Sequence, residues 1–204
     1  MAIPSGQVEK KRLEELGSIR GGHVATAEPA ESQDPKASLA LRITDLGDAG
    51  EVDWTTLRRV TPAVADDRFT IRAGDVLVPL RSVRVSAVVA REVPARTIAL
   101  GHWAIITPGP DVQAEYLAWY LGHPTTARSI GALVVGSRLP FVPLSALREM
   151  EIAVPDLAVQ RRIVQVQALH HREQQLEQKL AEARDRYVNA VTQAALEGAP
   201  HPDR

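Results

Sequence analysis

The sequence predicts an α+β fold: a mixed domain over residues 1–155, one long coiled-coil-forming helix over 156–197, and a disordered tail over 198–204. Three observations predict it. Short apolar runs bounded by Gly, Pro and Asp follow one another through the first half of the chain, as short strands do. The stretch DVQAEYLAWYLGHP spaces its large apolar residues for a helix. From Leu169 onward apolar residues recur every seven positions, with no proline or glycine to interrupt them until Gly198.

Taken in order, VEKKRLEELGSIRGG reads as a short helix or strand that ends in a glycine turn. AEPAESQDPKAS is polar and carries proline, so it is a loop. LALRITDL is a strand in which Leu39, Leu41 and Ile43 alternate, and DAGEVDW is a turn. In FTIRAGDVLVPL, Ala73-Gly74-Asp75 turns the chain into a short strand, Val76 to Val78. VRVSAVVA and HWAIITP are further strands. In the helix DVQAEYLAWYLGHP, Leu117, Tyr120 and Leu121 face inward, and His123-Pro124 ends it. TTARSIGALVVG is another helix or a turn. SRLPFVPLSALREMEIAVP holds a turn, a helical turn at Ser145 to Arg148 and a last strand, Glu151 to Val154. Trp54 and Trp103 are expected as core or loop anchors rather than as base-stacking residues.

The long helix starts after Pro155, which holds the residue before it extended. Asp156 supplies an N-cap acceptor for the first-turn amides. One heptad set is Leu169, Leu176, Ala183 and Ala190; the offset set is Glu173, Leu180, Tyr187 and Ala194. Seven of these eight positions are apolar or aromatic, which describes a narrow seam rather than a broad globular face. At about 1.5 Å per residue the helix is roughly 60 Å long. Such a helix must bury its stripe. The chain offers no second helix of similar length, so the expected partner is a second molecule.

Composition narrows the function. The chain has 204 residues, no cysteine and a formal net charge of −1. Disulfides and thiolate metal sites are therefore excluded. No apolar run is long enough to span a membrane and MAIPSGQVEKKR shows no signal-peptide pattern, so the expected location is the cytoplasm. The net charge argues against a non-specific polycation but leaves a local basic patch open. From Pro79 to Arg148 seven arginines (Arg81, Arg84, Arg91, Arg96, Arg128, Arg138, Arg148) stand against Glu92, Asp111 and Glu115. They form either a basic patch or scattered solvated side chains.

Catalytic patterns are missing. There is no phosphate-binding G-x-x-x-x-G-K-[ST], no G-x-G-x-x-G after a strand and no nucleophile elbow around any serine. The six histidines lack metal spacing: His170-His171 lie on the helix, and His102 beside Trp103 suits a structural or surface role. A self-contained nuclease or methyltransferase needs a metal or cofactor site that these residues do not form.

The order of segments resembles the DNA-specificity (S) subunit of type I restriction–modification enzymes. The resemblance is distributed over LEELGSIRGG, LRITDLGDAGEVDW, IRAGDVLVPLR, HWAIITPGPDVQAEYLAWYLGHP, GSRLPFVPLSALREMEIAVPDLAVQRRIV and REQQLEQKLAEARDRYVNAVTQAAL. It implies a half-length form, with residues 1–155 as one target-recognition domain and 156–197 as a spacer and dimerisation helix. It further implies a non-catalytic subunit that pairs with a second copy and directs methyltransferase (modification) subunits to a bipartite, palindromic site on double-stranded DNA. The resemblance leaves open whether an ATP-dependent restriction subunit completes such an assembly. No cofactor is expected in this chain; S-adenosylmethionine belongs to the methyltransferase. DNA-reading candidates lie in three turns: Arg20 and His23 in SIRGGH, Arg81 and Arg84 in PLRSVRVS, and Ser137 and Arg138 in GSRLP. Relatives of that family often place a small or glycine-containing turn where this chain has Ser82-Val83. Arginine forks onto guanine or pins phosphate. Leu169, Leu176, Leu180, Ala183, Tyr187, Ala190 and Ala194 are expected to pack against protein, either a second copy or a modification subunit. The competing reading is a non-catalytic interaction or capping module, docked on a modification subunit without reading sequence.

Overall fold

The computed structural model describes residues 8–26, 29–47, 51–61, 67–81, 86–136, 138 and 140–198. The chain divides into two units at Arg161/Arg162, so the first turn of the long helix belongs with the N-terminal unit. In that unit β1 (Glu9–Arg12) pairs antiparallel with β10 (Glu151–Val154) as a two-stranded ribbon. A four-stranded antiparallel sheet has the order β2 (Gly17–Gly21), β9 (Trp103–Pro108), β6 (Val76–Pro79), β7 (Val88–Val89). A second sheet has the order β3 (Ala30–Glu31), β5 (Arg58–Thr61), β4 (Ser38–Leu41), β8 (Thr97–Ala99), with β4 and β8 parallel.

Apolar side chains from both sheets meet in one core. Leu77, Trp103 and Ile105 from the first sheet pack with Leu41 and Ala99 from the second, and Trp54 closes the edge half-buried. A smaller cluster, Ala40, Val60, Ile98 and Leu100, covers the other face of the second sheet. That second cluster explains why β4 is not a simple alternating strand: Ala40 and Leu41 are both buried. The strand then stops early, because Asp45 Oδ2 accepts from the Arg42 amide at 2.7 Å and bends Ile43–Asp45 into a 3-10 turn. VRVSAVVA contributes only β7, its residues 83–85 lying outside the described set.

The helix expected in DVQAEYLAWYLGHP is α1 (Ala114–Gly122), which packs on β6 and β7. Leu117 and Leu121 are fully buried as expected, while Tyr120 is half-buried and Tyr116 takes the inner place. The Tyr116 hydroxyl donates to Ala153 O at 2.6 Å. Burial pushes its pKa up to about 12, so it remains a donor across the physiological range. His123 breaks the helix and also caps the next, α2 (Pro124–Ala132), accepting from the Thr125 amide at 3.4 Å. The short α3 (Leu144–Arg148) precedes β10.

The long helix is α4 (Leu157–Gly198), 42 residues and about 63 Å. Asp156 caps it: Oδ1 accepts from the Val159 amide at 2.8 Å. In its first turn Gln160 is fully buried. Its Nε2 donates to Asp111 O (2.9 Å) and Pro155 O (2.8 Å), and its Oε1 accepts from the Gln113 amide (2.9 Å). Gln160→Leu removes the partner of three backbone groups, one buried and two part-buried. The expected loss is about 3 kcal/mol of unfolding free energy, read as a lower urea midpoint at constant slope. An unchanged midpoint contradicts this role.

The second unit is the remainder of α4. Its seam positions stand in solvent in the single chain: Leu169, Leu176, Leu180 and Tyr187 are 68%, 58%, 50% and 71% exposed. Ala183, Ala190 and Ala194 are exposed beside them. Among the described residues no helix is long and apolar enough to cross a membrane. The tail expected from 198 lies, beyond Gly198, outside the described residues.

Candidate nucleic-acid interface

The antiparallel register of the first sheet brings three turns to one end. Gly21 pairs with Ala104 and Pro79 with Trp103, so the chain leaves β2 and β6 where it enters β9. Backbone bonds lock these segments together. Gly22 donates to Trp103 O (2.9 Å), Gly101 to His23 O (2.7 Å) and Leu80 to His102 O (2.8 Å). Gly101 makes the turn into β9 at φ 103°, a conformation that favours glycine. Gly22 is needed for a different reason: a Cβ there would lie 2.6 Å from Gly101 O.

A fourth segment joins them. Val135 and Phe141 exchange backbone bonds (2.9 and 3.1 Å), which closes the turn that holds Gly136 (φ 87°) and the exposed Arg138. Val142 then donates to Leu80 O at 2.9 Å, so this turn is fastened directly beside Arg81. The Phe141 ring lies 6.2 Å from the His102 ring. Arg81 is half-buried, and its Nε is buried without a hydrogen-bond partner. Burial lowers the His102 pKa, and the neighbouring Arg81 charge lowers it further. His102 is thereby kept neutral at neutral pH, with one ring nitrogen to donate and one to accept.

The four segments share one more property. Gly17–Thr26, Val76–Arg91, Thr97–Pro110 and Pro124–Leu147 contain no Asp or Glu. The four segments carry Arg81, His102, His23 and Arg138, and none has a carboxylate of its own beside Arg81 or Arg138. A cationic, hydrogen-bonding surface of this kind suits a polyanion. Among the described residues no group of three His, Cys, Asp or Glu is placed to hold a metal.

The sequence-predicted candidates sort by side-chain direction. His23 stays at the sheet end, its ring 4.9 Å from Phe69 and edge-on to it. Arg81 and the exposed Arg138 lie on segments that the Val142–Leu80 backbone bond joins. Arg84 and Ser137 lie outside the described residues. Arg20 is placed differently from the other candidates: its guanidinium is mostly buried and engaged within the fold. Nη2 meets Asp75 Oδ2 at 3.0 Å and Thr107 Oγ1 at 3.1 Å, and Nη1 donates to Thr70 O at 3.0 Å and to Asp67 O and Arg68 O at 3.4 Å. Asp75 is buried, and accepts in addition from the Arg72 amide (2.9 Å) and the Thr107 hydroxyl (2.5 Å). Other arginines of the basic stretch are also engaged: Arg91 pairs with Glu115 at 3.1 Å, and Arg148 donates to Ile19 O at 2.9 Å. His102 was missed as a candidate. Only the pairing of β9 with β6 sets it against Arg81, and no local pattern announces that register.

No protein-family model matches the sequence, and no curated protein matches it. Solved structures do match its fold. The HsdS subunit from Thermoanaerobacter tengcongensis aligns with a TM-score of 0.60 at 20% identity, over 85% of this chain and 39% of that one. A chain from a structural study of complex assembly and conformational transition of the type I R-M system aligns at 0.63 and 19% identity, over 100% of this chain and 48% of that one. The type I restriction-modification S subunit from M. genitalium aligns at 0.54 and 14% identity, over 83% and 40%. At these identities the likeness establishes the fold. The chain spans less than half the length of each solved chain.

Proposed function

We propose that this chain is a non-catalytic, sequence-reading unit of a type I restriction–modification system. The observation that carries the reading is the set of side chains Arg81, His102, His23 and Arg138 on segments that hold no Asp or Glu, three of them at one end of the first sheet. In this reading those side chains meet double-stranded DNA, and α4 pairs through its seam with a second copy. Two recognition units held by paired helices read a bipartite, palindromic target. Methyl transfer and S-adenosylmethionine belong to a partner modification subunit. The fold shared with S subunits supports this reading, as does the exposed apolar stripe on α4.

Arg81→Ala and Arg138→Ala test it. Each is expected to weaken binding to the selected duplex by about 10- to 100-fold, the effect of one lost arginine contact to a base edge. Assembly mass, measured by light scattering, is expected to stay unchanged. DNA affinity unaffected by both substitutions would favour the other reading, a capping module that docks on a modification subunit without sequence preference.

A further inference from the structure

A chain of contacts runs from the Arg20 guanidinium to the His23 imidazole through Phe69. Arg20 Nη1 donates to Thr70 O at 3.0 Å and to Asp67 O and Arg68 O at 3.4 Å. These carbonyls belong to the 3-10 turn Asp67–Phe69 and the residue after it. The last carbonyls of a helical turn have no partner within it, so a guanidinium there fastens the turn to β2. Just beyond it, the Ile71 amide donates to Thr97 O at the start of β8, at 2.9 Å. Phe69 is therefore held by its backbone, and its half-buried side chain packs against the Ala40, Val60, Ile98 and Leu100 cluster.

The backbone of His23 is fixed at the other end of β8. Its amide donates to Ala99 O at 2.8 Å, and its carbonyl accepts from the Gly101 amide at 2.7 Å. These bonds place the backbone and leave the side-chain torsions to local contacts. The imidazole is half-buried, and neither ring nitrogen has a hydrogen-bond partner among the described residues. What it meets is the Phe69 ring, with centroids 4.9 Å apart and planes at 62°. An edge-to-face pair has a preferred geometry, so Phe69 selects one orientation of the imidazole. Arg68 Cζ lies over the same ring, 5.5 Å from its centroid, and restrains it further.

We infer that Phe69 is a positioning residue for DNA contact by His23: it holds an imidazole with two unused nitrogens in one orientation, and Arg20 holds Phe69. The inference rests on the DNA-binding reading above, but its test is separable from that reading. The full-length chain and the variants F69L, F69Y, H23A and F69L/H23A are titrated with the selected duplex, and urea unfolding checks that each is folded. F69L is expected to weaken binding about 2- to 10-fold, the worth of one aromatic pair. F69Y, which keeps the ring, binds as the parent. F69L/H23A binds no more weakly than H23A, because the side chain that Phe69 positions is already gone. A merely structural Phe69 would lower the urea midpoint of F69L and leave its affinity at the parent value, and that result overturns the inference. A double variant whose loss is the product of the two single losses also overturns it. If F69L does not fold, F69M takes its place in the same cycle. H23A binding as the parent would leave nothing to position and would likewise overturn the inference, whereas R81A and R138A report on the recognition reading without His23.

Discussion

If α4 pairs with a second copy as proposed, Leu180→Asp is expected to separate the two helices. Leu180 sits at the centre of the seam, flanked by Leu176 and Ala183, and is 50% exposed in the single chain. Pairing removes its remaining apolar surface from water. The substitution removes that burial from both copies and sets two carboxylates in the interface without partners. Large-to-small changes in packed sites cost about 2–5 kcal/mol, and an unpaired buried charge adds to that or keeps the site open to water. A loss of about 3–4 kcal/mol corresponds to a dissociation constant raised roughly 100- to 1,000-fold. Sedimentation at low micromolar concentration is expected to show a monomer where the parent is dimeric. The alanines toward the C-terminus bury little each, so they cannot make up the loss. A variant that remains dimeric under the same conditions contradicts the seam.

Asp75→Ala is expected to be the most destabilising single change in the N-terminal unit. The carboxylate is 1% exposed and takes bonds from the Arg20 guanidinium, the Arg72 amide and the Thr107 hydroxyl. Removing it strands a largely buried positive charge and two donors, which costs about 3–5 kcal/mol in comparable pairs. Chemical denaturation is expected to show a much lower midpoint. Arg20→Met, which keeps most of the side-chain volume, also costs stability because Asp75 loses its counter-charge. The double change is expected to cost less than the sum of the two, since the stranded charge is then absent. If Arg20→Met instead leaves stability intact and abolishes DNA binding, the placement of Arg20 in the fold rather than at the interface is wrong.

The parts legible in the sequence are those set by local rules. The start of α4 follows from Pro155 and Asp156, and the helix itself from an uninterrupted heptad pattern. The break at His123-Pro124 and the glycine turns follow from backbone sterics. Strands of two to four residues are another matter. β3, β5 and β8 carry too few residues for a period to show, and they exist because partners across the sheet satisfy their backbone groups. Gln160 reads as one more polar residue on a polar helix, yet it is buried and joins three backbone groups. Arg20 and His23 stand three residues apart in one basic turn and have separate fates, because Arg20 lies within β2 and reaches Asp75, whereas His23 lies past its end. Arg81, His102 and Arg138 are distant in sequence, and the β6–β9 register and the Val142–Leu80 bond join the segments that carry them. The spatial grouping of the candidate site was therefore hidden, although most of its members were visible one by one.

The measurement that bears most directly on the central claim is a methylation map. This chain is purified together with a type I modification subunit, the mass of the complex is determined, and the complex methylates a library of random duplexes with S-adenosylmethionine. The account predicts a complex with two copies of this chain that methylates a split palindrome, with two fixed half-sites at constant spacing. A stable complex that methylates without sequence preference would contradict it.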